Sequence, residues 1–211
     1  MSVGGMSPGY LLLIEWGSMM NIHLSMVEWA AEQARSLLPP LGNRWLHVQG
    51  VVEAAQWVGQ AFDEENAAHL LAAAYLHDLG YAPALQKTGF HPLDSACYVR
   101  SCGYERLACL VAHHSEARFE AQLRDFGLGL NTFPRERSAV ADALTFCDMT
   151  TSPTGRPISF KERATDIFRR YSEADIVAQA LRRAMPYICL AIGRTQRRLH
   201  RCGLSTVLPI D

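Results

Sequence analysis

Apolar residues recur along most of this chain at intervals of three and four, the period of an α-helix, and strand-like alternation of Val, Ile and Thr is absent. Residues 21–38 carry a stripe at Met26, Trp29, Ala30, Gln33 and Leu37 that Pro39-Pro40 stops. Residues 44–61 repeat it at Val48, Val51, Val52, Ala55 and Val58. Residues 64–79 are apolar nearly all round, which predicts a central, buried helix, and Gly80 suits its C-terminal cap. Pro92 fits the first turn of the next helix, with His91 at or beside the N-cap. Further helices are predicted at 104–114, 116–125, 135–150 and 160–171, and a long one from 173 to about 200 that can kink at Pro186. The fold class is therefore all-α, a compact bundle of irregular topology with little or no sheet. Residues 1–18, rich in Gly, Ser and Met, lack the helical pattern and read as a flexible extension, with Met19 or Met20 as an alternative start. A single domain over 19–211 is expected.

Composition narrows the classes. Of 211 residues 49% are hydrophobic, enough for one sizeable core and against disorder. Twenty basic side chains nearly balance 21 acidic ones, and the net charge of -1 excludes a general attraction for nucleic acid or membrane. The basic run Arg194, Arg197, Arg198, Arg201 accordingly reads as a solvated face. No apolar run reaches the roughly 20 residues that span a bilayer. The run Tyr10 to Ile14 has no Lys or Arg before it and makes a poor signal peptide, so a cytoplasmic location is expected. Six cysteines form no C-x-x-C pair and are expected to be reduced and mostly buried. Histidine stands out: six of the eight lie between His47 and His114. Such clustering flags a metal site.

The sharpest local signal is Leu76-His77-Asp78-Leu79-Gly80, two metal-capable side chains at the end of the buried helix. An ionised Asp is costly there without a counter-charge, and a bound cation supplies one. A lone His-Asp pair is usually no more than a helix end, but two other residues change the weighing. His47 lies four residues before Val51 and eleven before Val58, on their core-facing stripe. Asp148 lies four after Leu144 and eight after Val140, again on the apolar side. Three helices thus direct polar ligands inward, and one shared site satisfies them all.

With these residues the chain resembles the HD-domain superfamily of metal-dependent phosphohydrolases, whose motif is a His, a His-Asp pair and a distant Asp, all on helices. The resemblance spans roughly 43–171. It is carried by Arg44-Trp45-Leu46-His47, Ala74-Tyr75-Leu76-His77-Asp78-Leu79-Gly80-Tyr81, Val111-Ala112-His113-His114-Ser115 and Asp148-Met149-Thr150-Thr151. It implies that His47, His77, Asp78 and Asp148 bind a divalent metal. Several branches add histidines for a second ion, and here these are His91 and either His113 or His114. Helical period favours His114, seven residues after Leu107 and three after Val111, while His113 lies three after Leu110. Asp78 would bridge the two ions. The glycine-tyrosine-proline signature of the HD-GYP branch is replaced by Ser115-Glu116-Ala117, which disfavours that branch.

Phosphate chemistry also requires fixed positive charge. Arg44, on the face of His47, is a candidate for catalysis and substrate binding, with Asp78 as the other catalytic residue. Lys87, in the loop before His91, and Arg163, after Asp148, are further substrate-binding candidates. Asp94 lies one turn beyond His91 and can orient its ring. His69 reads as structural, and His23 and His200 as solvated. The expected function is hydrolysis of a small phosphate ester, nucleotides included, by metal-activated water with one or two ions of Mn, Fe, Co, Ni, Mg or Zn. The alternatives are a di-iron oxygenase and a non-catalytic nucleotide-binding or sensing module. The expected partner is a small phosphorylated substrate, without nucleic acid or membrane; a homo-oligomer is compatible. Walker A, H-E-x-x-H, G-x-S-x-G and dinucleotide motifs are absent.

Overall fold

The computed structural model describes residues 24–204. The extension 1–18, His23 and the start of the first predicted helix lie outside the described residues. A helix over 24–37, α1, gives way to a 3-10 turn at Pro39–Leu41, where two prolines lack N–H donors. Then follow α2 (Asn43–Gly59), α3 (Glu64–Leu76), α4 (His91–Ser101), α5 (Glu105–Ala112), α6 (Arg118–Leu123), α7 (Gly127–Leu130), α8 (Ala139–Met149), α9 (Phe160–Arg170) and α10 (Ile176–Arg201). Among the described residues there is no strand, only an isolated bridge between Thr151 and Pro157. No helix among them is long and apolar enough to cross a membrane.

Side-chain caps set several starts. Asp63 accepts from the Asn66 amide ahead of α3, Ser138 from Ala141 ahead of α8, and Ser159 forms a capping box with Glu162 ahead of α9. α3 lies against α2, α5 and α8; α4 pairs with α5; α10 crosses α8 and α6. Ala72, Ala73 and Ala74 are fully buried on α3, and such small side chains let its neighbours approach closely. A smaller apolar cluster of Met149, Ala164, Leu181, Ala184 and Ile188 ties α9 and α10 to the end of α8.

The departures from expectation are local. α3 stops at Leu76, so Gly80 does not cap it: the chain turns through His77 and Asp78 into a 3-10 turn, Leu79–Tyr81. α5 ends at Ala112, two residues early, and α8 begins at Ala139 because Ser138 caps it. α7 has too few residues to register a period. α10 runs unbroken past Pro186, which occupies its exposed side. Only Cys109 and Cys147 are buried; Cys97, Cys102, Cys189 and Cys202 are exposed, and all six are free thiols.

Candidate metal centre

Two backbone contacts prepare the site. At Gly50 on α2, a Cβ would lie 2.2 Å from the carbonyl oxygen of Gly155, and Gly155 itself has φ +79° and rests on the Leu46 carbonyl. Only glycines allow α2 and the 151–157 loop to meet so closely. The contact sets the Ser152 carbonyl 3.0 Å from His47 Nδ1. A carbonyl only accepts, so Nδ1 carries the proton and Nε2 keeps the lone pair. Nε2 faces Asp148 Oδ1 at 3.0 Å.

The second contact is at Gly80, where a Cβ would lie 2.3 Å from the His91 carbonyl oxygen. The close approach seats the His77–Tyr81 turn on the first turn of α4. Ser95 stitches the two together, accepting from the Gly80 amide at 2.7 Å and donating to the His77 carbonyl at 3.1 Å. His91 Nε2 thereby reaches Asp78 Oδ1 at 3.3 Å, while Asp78 Oδ2 lies 3.4 Å from His77 Nε2 and 3.9 Å from His47 Nε2. Arg44 NH1 donates to Asp78 Oδ2 at 2.6 Å. Its guanidinium lies 3.9 Å over the Tyr81 ring, whose other neighbour is the His91 imidazole, stacked at 4.1 Å and 19°.

The third element is the turn after α5. Ser115 (φ 49°) and Glu116 (φ 60°) both adopt left-handed backbone, a conformation that costs non-glycine residues energy and recurs at functional sites. The turn sends two adjacent histidines different ways. His114 Nδ1 donates to the Val111 carbonyl at 2.6 Å, and its Nε2 lies 3.4 Å from His91 Nε2. His113 Nε2 meets the Phe133 carbonyl at 2.7 Å, away from the cluster. His114, not His113, thus joins the site. Ser115 donates a short hydrogen bond to Asp148 Oδ2.

The residues fit a divalent cation. Nδ1 of His47, His77 and His114 each donates to a backbone carbonyl, His77 to Ala74 at 2.9 Å. The Nε2 lone pairs of all three therefore face inward, onto carboxylates that are acceptors too. His77 is fully buried, and its Nε2 has no hydrogen-bond partner at all. Facing acceptors without donors repel one another unless a cation lies among them. The ligand atoms form two groups, His47, His77 and Asp78, and Asp78, His91 and His114, each within 4.8 Å and sharing Asp78. Burial holds the pKa of His77 and His91 down, in spite of the raising effect of Asp78, so both imidazoles are neutral and free to ligate. For Asp78, burial opposes ionisation, but the Arg44 guanidinium beside it outweighs that penalty and holds the carboxyl well below the usual range.

Above these groups opens a cavity of about 520 Å³ lined by Arg44, Tyr81, Arg124, Arg163 and Arg170 among others. Arg163, only 8% exposed, lies 4.0 Å from Asp148 Oδ1, and its buried Nε has no partner. Lys87 is exposed and does not line this cavity. Asp94 does not orient His91. Its carboxylate accepts from the Thr88 amide and hydroxyl and the Gly89 amide, tying down the loop before α4. His69 hydrogen-bonds the Glu65 carbonyl, outside the site. Tyr81, Ser95, Ser115 and Ser152 contribute without having been singled out. Only Tyr81 and Ser115 left a sequence signal, as neighbours of the His-Asp and His-His pairs.

A family model described as HD domain matches residues 44–150. No curated protein and no solved structure matches the chain.

Proposed function

The chain belongs to the HD-domain family, and from that premise we propose that it hydrolyses a small phosphate ester, nucleotides included, with the help of one or two divalent ions. The family is a superfamily of metal-dependent phosphohydrolases, and the His and Asp cluster is compatible with that activity. The carrying observation is the pair of His and Asp triads that share Asp78, each with its ligand atoms within 4.8 Å of one another. His47, His77, Asp78 and Asp148 would hold one ion, and Asp78, His91 and His114 a second. When bound, such ions acidify water and polarise a phosphoryl oxygen.

The chain's own groups do the rest. Ser115 occupies Asp148 Oδ2 and leaves Oδ1 directed at His47. Arg44, stacked on Tyr81, holds positive charge beside the ligands, where phosphoryl oxygens gather negative charge. Arg163 lines the same cavity, and its buried Nε has no partner. The two arginines support phosphate as the group recognised, because a guanidinium matches phosphate oxygens in charge and shape. The proposed substrate-binding role therefore rests on Arg44 and Arg163, and Lys87 drops out.

Elemental analysis of the purified chain and a panel of phosphate esters test this reading. Divalent metal at one or two equivalents is expected, with hydrolysis that Asp78→Ala abolishes. Metal-free protein, or an Asp78→Ala variant that hydrolyses as fast as the parent, overturns it. Oxygen uptake by iron-loaded protein without phosphate release favours the oxygenase alternative instead.

A further inference from the structure

On the far side of the His113–Glu116 turn lies a second, larger cavity of about 840 Å³. Its walls come from the end of α5, the 135–139 approach to α8, α8 itself and the C-terminal half of α10. Seven arginines line it against three carboxylates, in a chain whose overall charge is -1. The run on the last helix is therefore not a plain solvated face. Arg197 and Arg201 meet Arg137, from a segment sixty residues away, across a hollow.

The three carboxylates are already engaged. Glu116 accepts from Arg118 at 2.7 Å and from Arg135, Asp142 pairs with Arg194 at 2.5 Å, and Glu136 pairs with Arg106 at 3.0 Å. Arg198 donates to the Ala61 carbonyl. Arg137, Arg197 and Arg201 have no hydrogen-bond or ion-pair partner among the described residues, and all three are exposed. Like charges gathered in a concavity repel one another and focus the field into it, which raises the local concentration of anions. The volume is that of a small-molecule site. A polymer surface would instead spread its cations along a ridge or groove. Tyr187 and Leu190, 43% and 56% exposed, add an apolar shelf at one side.

We propose that this cavity is a second ligand site, separate from the metal centre, that binds a small polyanion of the oligophosphate class through Arg137, Arg197 and Arg201. It backs onto the metal cavity, for His114 and Glu116 line both. Its recognition needs no metal ion, and it does not rest on the hydrolytic reading of the other site.

Titration calorimetry of the full chain, stripped of metal on a chelating resin, with inorganic tripolyphosphate tests this. One equivalent is expected to bind, more weakly as salt is raised. The triple variant Arg137→Gln, Arg197→Gln, Arg201→Gln is expected to bind at least tenfold more weakly with an unchanged unfolding midpoint. Should the triple variant fold poorly, Arg201→Gln alone is expected to weaken binding at least threefold. A nucleoside triphosphate that binds tenfold tighter than tripolyphosphate identifies a nucleotide as the source, with Tyr187 and Leu190 beside its base. Equal affinity identifies the phosphate chain alone. The proposal fails if metal-free protein does not bind tripolyphosphate, if the arginine variants bind it as well as the parent, or if a 20-nucleotide single strand binds stoichiometrically and more tightly than either.

Discussion

A neutral imidazole has one lone pair, and whatever the protonated nitrogen donates to decides where it points. In this chain the carbonyls of Ser152, Ala74 and Val111 make that choice for His47, His77 and His114, so the cage is oriented by backbone before any ion arrives. His91 has a different support: its ring lies against Tyr81, which also carries the Arg44 guanidinium. Tyr81 therefore acts as a positioning residue through its ring face. Tyr81→Leu is expected to weaken manganese binding by metal-free protein about tenfold, in line with the roughly 1–2 kcal/mol of a desolvated cation–π contact, whereas Tyr81→Phe stays within about threefold. Calorimetric titration reads the difference. Unchanged constants in Tyr81→Leu would assign the stack no part in metal binding.

Elements bring these residues together, and the glycines govern how closely. The turn that carries Asp78 touches α4 through Gly80, and without that contact His91 has no route to Asp78. In Gly80→Ala the new Cβ would sit 2.3 Å from the His91 carbonyl, so the turn and α4 must part. Overpacking of this kind costs about 1–3 kcal/mol. The urea midpoint is expected to fall accordingly, and metal affinity to drop, since His91 is moved away from Asp78. A variant with parental midpoint and affinity would mean that the contact positions nothing.

The same distinction explains what could be read in advance. His47 and Asp148 were legible because each lies within a long helix, where period 3.6 links a residue to its buried neighbours. His113 and His114 stayed ambiguous because α5 ends at Ala112, and beyond a helix end the period says nothing about direction. Tyr81 and Ser115 occupy turns of the same kind. The Gly50–Gly155 and Gly80–His91 contacts join segments 11 to 105 residues apart, and no local pattern encodes such meetings. Asp94 sits one turn from His91, where a supporting carboxylate would be expected, but the nearer Thr88 and Gly89 amides claim it.

At the scale of the whole molecule, the candidate ligands come from α2, the end of α3, the start of α4, the turn after α5 and α8, so an ion held by them ties together segments spread from His47 to Asp148. The unfolded chain offers no such preformed cage. Binding to the folded state alone stabilises it by RT ln(1 + [L]/Kd), about 2.7 kcal/mol at a metal concentration a hundred times Kd. Removing the ion with a chelator is thus expected to lower the melting temperature by roughly 5–10 °C for a chain of this size, and adding the metal back to restore it. General ionic effects would move every variant alike, whereas a shared ligand predicts a specific failure. Asp78→Ala deletes the only residue common to both triads and leaves Arg44 without its carboxylate, so this variant should melt lower than the parent and at one temperature whether chelator or metal is present. If the parent melts at one temperature under both conditions, the facing acceptors are not held together by an ion; if Asp78→Ala still responds to metal as the parent does, the stabilising ion binds elsewhere on the molecule.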